Sequence, residues 1–142
     1  MEEALGWAQS AITGKPFGQS GFDAYTNLAT GYEKLNRLSQ ADSVMNEGLA
    51  IANINQYINY GRSMITQKRS DRAIEVMLGA RAKFGDVYAT NNGLSYAYSA
   101  KGDFKKAMDF ANKSLVQAAS QQAKTKVTAN IEKLKEGKDI NQ

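Results

Sequence analysis

Few side chains in this sequence could carry out acid–base or covalent chemistry, because the chain contains neither histidine nor cysteine. Their absence removes thiol nucleophiles, imidazole bases, disulfides and nearly all zinc and copper sites. Carboxylates remain, and Glu2 and Glu3 form the only adjacent acidic pair. Both fall in the first turn of a predicted helix, where the positive end of the helix dipole favours acids. We therefore assign this pair a structural role and predict no catalytic residue, no metal and no cofactor.

Nucleotide chemistry is equally unsupported by the sequence. None of the glycine-rich motifs that cradle phosphates occurs among the 12 glycines. We interpret these glycines as turn and close-packing residues. The chain is accordingly predicted not to be an enzyme, and any activity is expected in a further domain upstream of it.

Charge is unevenly distributed along the chain, whose net charge is +4. Residues 1–100 contain nine basic and nine acidic side chains, whereas residues 101–142 contain nine lysines and five acids. Such a basic end could meet an acidic protein, a nucleic acid or a membrane surface. Lysines without interleaved arginines or aromatic residues are poorly suited to bidentate phosphate binding and to base stacking. We therefore favour a solvated helical end and expect no nucleic-acid partner. Membrane insertion is not expected either, because no apolar run in the sequence is long enough to span a membrane.

Small residues recur at regular intervals, and they predict the architecture. Ala73 and Ala107 are 34 residues apart, and each is followed by small or apolar residues four and seven positions later, as are Ala4 and Ala41. On a helix this spacing forms one stripe, which lets two helix backbones approach closely. A period of 34 residues is typical of antiparallel helix pairs that stack into a superhelix. The sequence therefore predicts an all-α solenoid of about eight helices, with residues 1–142 forming a single domain.

The copies of this pattern have predicted boundaries. Gly102 and Asp103 are expected to end one helix and cap the next, and Ser39 and Ser70 are expected to cap the corresponding helices of the other copies. The tail after residue 136 is expected to fray. The predicted segments are a half repeat over 1–16, repeats over 22–53, 54–87 and 88–121, and a capping helix over 122–136.

At its marker positions the pattern resembles the tetratricopeptide repeat family. The chain departs from that pattern where the family has a tryptophan in the first helix, since Tyr25, Tyr57 and Asn91 stand there. The resemblance implies a module for protein–protein interaction or scaffolding that binds through a concave groove. The markers are Tyr60, Gly61, Met64, Ala73 and Ala80 in one full copy, Leu94, Ser95, Tyr98, Ala107 and Ser114 in the other, and Leu28, Ala29, Tyr32, Ala41 and Gly48 in the shorter one.

In this family the inner groove is lined by first-helix positions between the packing markers. Amides are frequent at these positions, and they can pair with an extended peptide backbone, while Arg62 could hold a carboxylate. A solvated concave wall without a ligand is the alternative. The predicted partner-binding residues are Asn27, Asn59, Arg62, Asn92 and Tyr96, and the other groove positions are Thr26, Thr30, Ile58, Lys126 and Asn130.

Some members of the family clamp the C-terminal carboxylate of heat-shock chaperones with lysine, arginine and asparagine. At the matching positions this chain has Thr26, Thr30, Asn59, Ala89 and Gly93, of which only Asn59 agrees. The sequence therefore does not predict chaperone-tail clamping.

Both ends of the chain resemble the C-terminal repeat region of certain exported bacterial proteins, in which a domain of unknown function precedes the repeats. The segments that carry this resemblance are 3–12 and 131–140. It implies a periplasmic or exported location, whereas a natural start at Met1 would imply a cytoplasmic one. The alternative function is structural support of such an upstream domain, or self-association through the half repeat.

Overall fold

A computed structural model describes residues 18–142 of the chain. These residues form seven α-helices and no strand, so the all-α prediction is confirmed and the expected number of about eight helices is close. The predicted half repeat over 1–16, with Ala4, lies outside the described residues. The helices are α1 (Gly18–Lys34), α2 (Leu38–Leu49), α3 (Ile54–Thr66), α4 (Ser70–Phe84), α5 (Tyr88–Lys101), α6 (Phe104–Gln117) and α7 (Gln121–Lys135).

The chain divides into two compact units, and the second begins at Tyr57, in the first turn of α3. In the first unit α1 packs against α2. Gly48 permits this approach, because a methyl group added there would lie 2.8 Å from Tyr25 Cβ. The predicted marker Ala41 is buried in α2 together with Met45. Small residues on α2 therefore admit the larger side chains of α1, as the stripe predicts.

In the second unit, the two alanines that define the 34-residue period occupy equivalent buried positions. Ala73 in α4 and Ala107 in α6 are fully buried. Ser95 Oγ of α5 donates a hydrogen bond to the carbonyl oxygen of Ala107 at 2.9 Å. A side chain as short as serine can reach a neighbouring backbone only where two helices lie very close. The small residues are therefore required by the spacing between the helices.

Met77 of α4 fills the space between two glycines on neighbouring helices. A methyl group at Gly61 would lie 2.6 Å from Met77 Cε, and one at Gly93 would lie 2.7 Å from Met77 Sδ. The Gly93 methyl would also approach Ile58 Cδ1, so α3 and α5 are neighbours. Ile58 is buried in this contact, although the repeat pattern placed it in the groove.

The turns inside the helix pairs recur with the same backbone conformation. The residue two positions before the second helix has a positive φ in each pair, at Asn36 (59°), Lys68 (65°) and Gly102 (89°). Asp103 then caps α6 by accepting a hydrogen bond from Lys106 N at 3.2 Å, as predicted. The predicted caps at Ser39 and Ser70 are wrong. Both lie inside helices, and neither Arg37 nor Arg69 at the N-cap makes a side-chain cap.

The presence of Asn91 where the repeat family has a tryptophan has a structural explanation. Tyr57, at the equivalent position of the preceding copy, packs its ring edge-to-face with Phe84 at 5.7 Å. Asn91 is fully buried and instead donates to Gln117 Oε1 at 2.8 Å and to Asp86. A polar network thus replaces an aromatic pair. These hydrogen bonds compensate the burial of the Asn91 amide nitrogen, whereas its Oδ1 is buried without a hydrogen-bond partner in the part of the chain that the structure describes.

The segment after α7 folds back onto α5 and does not fray, contrary to expectation. Ser99 Oγ donates to Asp139 Oδ1 and accepts from Ile140 N, both at 2.9 Å. The Ile140 side chain is buried in the same apolar cluster as Val127 and Leu134. The Ile140 side chain and the buried Ser99 hydroxyl therefore help to anchor the C-terminal segment, which we define as residues 136–142.

Candidate functional site

Four of the five predicted binding residues lie on two neighbouring helices of the second unit. Asn59 and Arg62 are three residues apart on α3, and Asn92 and Tyr96 are four apart on α5, so each pair shares one face of its helix. Asn59 and Arg62 are exposed, and Asn92 and Tyr96 are half-buried. Each helix therefore presents an amide one turn before a larger side chain.

Arg62 and Tyr96 join the two helix faces. The guanidinium carbon of Arg62 lies 5.9 Å from the centroid of the Tyr96 ring, within the range of a cation–π contact. Asn130 of α7 donates from Nδ2 to the Tyr96 hydroxyl at 2.9 Å. Asn130 is itself buried, so it orients Tyr96 instead of lining the groove as predicted. The ring is thus held between an exposed cation and a buried amide.

An open cavity of about 590 Å³ lies beside this pair. Its walls come from the C-terminal half of α3, the turn that follows, α5, α7 and the C-terminal segment. We call it the basic cavity, because three of its side chains are cationic. It is lined by Arg62, Ile65, Thr66, Lys68, Tyr96, Lys126, Ile140 and Asn141.

Sequence reasoning missed Lys68 and Asn141 as cavity residues. Lys68 lies in a turn between helices, outside the first-helix positions that the repeat pattern assigns to the groove. Asn141 belongs to the segment that was expected to fray, yet its Nδ2 donates to the Tyr96 carbonyl oxygen at 2.9 Å. The buried Ile140, an isolated apolar residue in a polar tail, is the sequence signal that could have indicated an anchored segment.

Asp139 is the acidic group next to the basic cavity, and its carboxylate is already engaged. Oδ1 accepts from the backbone and side-chain amides of Asn141 at 3.0 and 2.8 Å as well as from Ser99. Burial acts to raise the pKa of this carboxyl, but the Asn141 and Ser99 hydrogen bonds and the charge of Lys68 outweigh it. The pKa therefore lies below its ordinary value.

Asn27, the fifth predicted residue, lies on α1 in the first unit, where it is exposed. Among the marker residues of the second unit, Gly61 is buried against Met77, and Tyr98 is half-buried and stacks on Phe110 with ring centroids 5.6 Å apart. Within residues 18–142 no group of three or more acidic side chains is placed to hold a metal ion. None of the described helices is long and apolar enough to cross a membrane.

Comparison with known families agrees with this architecture. Residues 88–115, which cover α5 and most of α6, match the family model described as tetratricopeptide repeat. The match includes the Gly102–Asp103 turn and Ala107. Comparisons with curated proteins and with solved structures gave no match. The family match and the helix pairs together support a tetratricopeptide-like helical domain, a class that generally mediates protein–protein interaction without catalysis.

Proposed function

We propose that the chain is a non-catalytic interaction module and that the α3–α5 face of its second unit binds a peptide or an exposed segment of a partner protein. The observation that carries this proposal is the Arg62–Tyr96 contact beside an open cavity. Cavities of roughly 300–1,000 Å³ accommodate small ligands or a few side chains. Tyrosine and arginine are both enriched among the residues that dominate binding energy at interfaces.

The amides on the same helix faces fit an extended peptide. An asparagine side chain offers one carbonyl acceptor and two amide donors, which match the donor and acceptor of a peptide bond. Asn59 precedes Arg62 by about one turn, and Asn92 precedes Tyr96 in the same way. A ligand lying across both helices would therefore meet a polar amide and then the Arg62–Tyr96 pair. Asn27 on the first unit remains a separate candidate contact.

Selection of short peptides from a random displayed library, using the full chain as bait, tests this proposal. We expect Arg62→Ala to weaken binding of the selected peptides at least about tenfold, the loss expected of an interface hot spot. Lys105→Ala, which removes an exposed cation on α6, is the matched control and should bind normally. Circular dichroism should show equal helicity for both variants. Unchanged binding by Arg62→Ala would place the interaction elsewhere.

A further inference from the structure

The three cations of the basic cavity are not matched by acids in its walls. Arg62, Lys68 and Lys126 line it, and none of the described residues in its wall is acidic. Asp139 lies nearby, and its negative charge interacts with Lys68, while its Oδ1 accepts three hydrogen bonds from Ser99 and Asn141. With one engaged carboxylate against three cations, the cavity carries a local excess of positive charge. A neighbouring anion would be attracted, most strongly at low ionic strength.

Lys68 occupies this position at a conformational cost. Its φ of 65° lies in the left-handed region, where a residue with a Cβ is less stable than glycine. The equivalent turn residue of the next copy is Gly102. The first pair has Asn36 at this position, and asparagine adopts the left-handed region more readily than lysine does. The cation at this turn is therefore a feature of the cavity that helix packing does not require.

The size of the cavity favours a peptide over a small free anion. About 590 Å³ is far more than one phosphate ion would fill. Ile65, Ile140 and the Tyr96 ring also line the cavity, so apolar walls stand beside the cations. Asn141 adds an amide from the C-terminal segment. The walls therefore suit a stretch of chain that combines carboxylates with apolar side chains.

We propose that this cavity binds an acidic peptide segment whose carboxylates lie among Arg62, Lys68 and Lys126, with the folded-back C-terminal segment forming one wall. The inference rests on the proposed function and names its ligand class. Both an Asp or Glu side chain and a peptide C-terminus can supply the carboxylate. Lys68 and Asn141 become specificity-determining residues that the repeat pattern does not identify.

Fluorescence anisotropy of the full chain with labelled short peptides tests the proposal. The probes are peptides of alternating glutamate and leucine, each with a free or an amidated C-terminus, and matched peptides with glutamine in place of glutamate. We expect the glutamate peptides to bind at least about tenfold more tightly and to lose affinity as salt rises. A loss on amidation identifies the terminal carboxylate as the bound group, and no loss identifies the side chains. Either result supports the proposal.

Charge-neutral variants locate the site. Lys68→Gln and Lys126→Gln should each weaken binding of the glutamate peptide about two- to fivefold, as partly exposed ion pairs contribute. Lys105→Gln and Lys113→Gln on α6 remove the same charge from other exposed positions and should have no effect. Lys68→Arg should restore binding. Because Gln and Lys are both unbranched, the variants should retain wild-type helicity.

Three results would overturn this inference. Equal affinity for the glutamate and glutamine peptides, with no loss on amidation of either, would show that charge is not recognised. Equal losses from the α6 control lysines would show that binding reflects net charge alone. Tighter binding of a phosphoserine peptide than of its glutamate counterpart would reassign the ligand class. If neutral peptides bind and this binding still requires Arg62, the proposed function stands while this inference fails.

Discussion

Two turns, 34 residues apart, join the helices of the α3–α4 and α5–α6 pairs, and they differ in a way that separates folding from binding. After α5 the chain turns through Gly102 and caps α6 with Asp103. After α3 the same turn uses Lys68, and Arg69 at the cap position makes no side-chain cap. The residues around Gly102 satisfy the local preferences of the backbone. The residues around Lys68 do not, and Lys68 lines the basic cavity.

This difference indicates where the sequence is constrained by stability and where it is not. The helix pair over 88–121 follows the repeat pattern closely, and the family match falls there. The preceding pair, α3–α4, has the buried alanine at Ala73 but lacks a glycine at its turn. Sites that bind ligands commonly retain locally unfavourable residues that the rest of the structure compensates. The following substitutions test this comparison.

The largest effect is expected at the two fully buried alanines that define the 34-residue period. Ala73→Leu and Ala107→Leu should each lower the free energy of unfolding by about 1–3 kcal/mol, because both sites are fully buried and added methylenes strain a packed core. Urea denaturation followed by circular dichroism measures this loss. Ala82→Leu on the exposed side of α4 is the control and should change stability little. A tolerant Ala73 beside an intolerant Ala107 would show that the two positions are not packed equivalently in their helix pairs.

The next largest effect is expected when the turn at Gly102 is made to resemble the turn at Lys68. Gly102→Lys should cost about 1–2 kcal/mol, because a side chain is introduced at a φ of 89°. A Cβ at this position meets no atom within 4 Å, so the loss would be conformational and not steric. Thermal unfolding of the variant measures it. Unchanged stability would mean that positive φ is inexpensive in this fold and that Lys68 is not under strain.

A smaller loss is expected when the helix cap is removed. Asp103→Ala should cost about 1 kcal/mol, since Asp103 accepts from Lys106 N and places a negative charge at the start of α6. Asp109→Ala removes the same group from an exposed position within α6 and serves as the control. Equal losses from the two variants would attribute the effect to net charge instead of capping. Chemical denaturation of both variants decides between these outcomes.

Sequence alone predicted the parts of this structure that depend on local periodicity. Ala73 and Ala107 follow a helical stripe, and Gly102–Asp103 is a turn with strong individual preferences, so these features could be predicted without tertiary information. The caps at Ser39 and Ser70 could not, because both residues lie within the first turn of a helix, where serine is also tolerated. Boundaries that differ by one or two residues fall below what propensity resolves.

The candidate site was predictable only in part, for a related reason. Arg62 and Tyr96 follow from the repeat pattern, since groove positions recur with the packing markers. Lys68 and Asn141 enter the cavity through a turn conformation and a long-range anchor at Ser99, neither of which is periodic. A contact between residues about 40 positions apart leaves no signal in a local window. Periodicity therefore predicts which helix positions line the site, but not the additional side chains that the turn and the C-terminal segment contribute.

The smallest effect on stability provides the sharpest test of the comparison. Lys68→Gly should raise the free energy of unfolding by less than about 1 kcal/mol, because glycine relieves the positive φ but increases the entropy of the unfolded chain. The same variant should weaken binding of the glutamate peptide, since it removes a cation from the cavity. Lys68→Gln keeps the strain and should lose affinity without gaining stability. A variant that is more stable and binds less well would show that this turn is constrained by its ligand. A gain in stability with full affinity would show that Lys68 is incidental to the site.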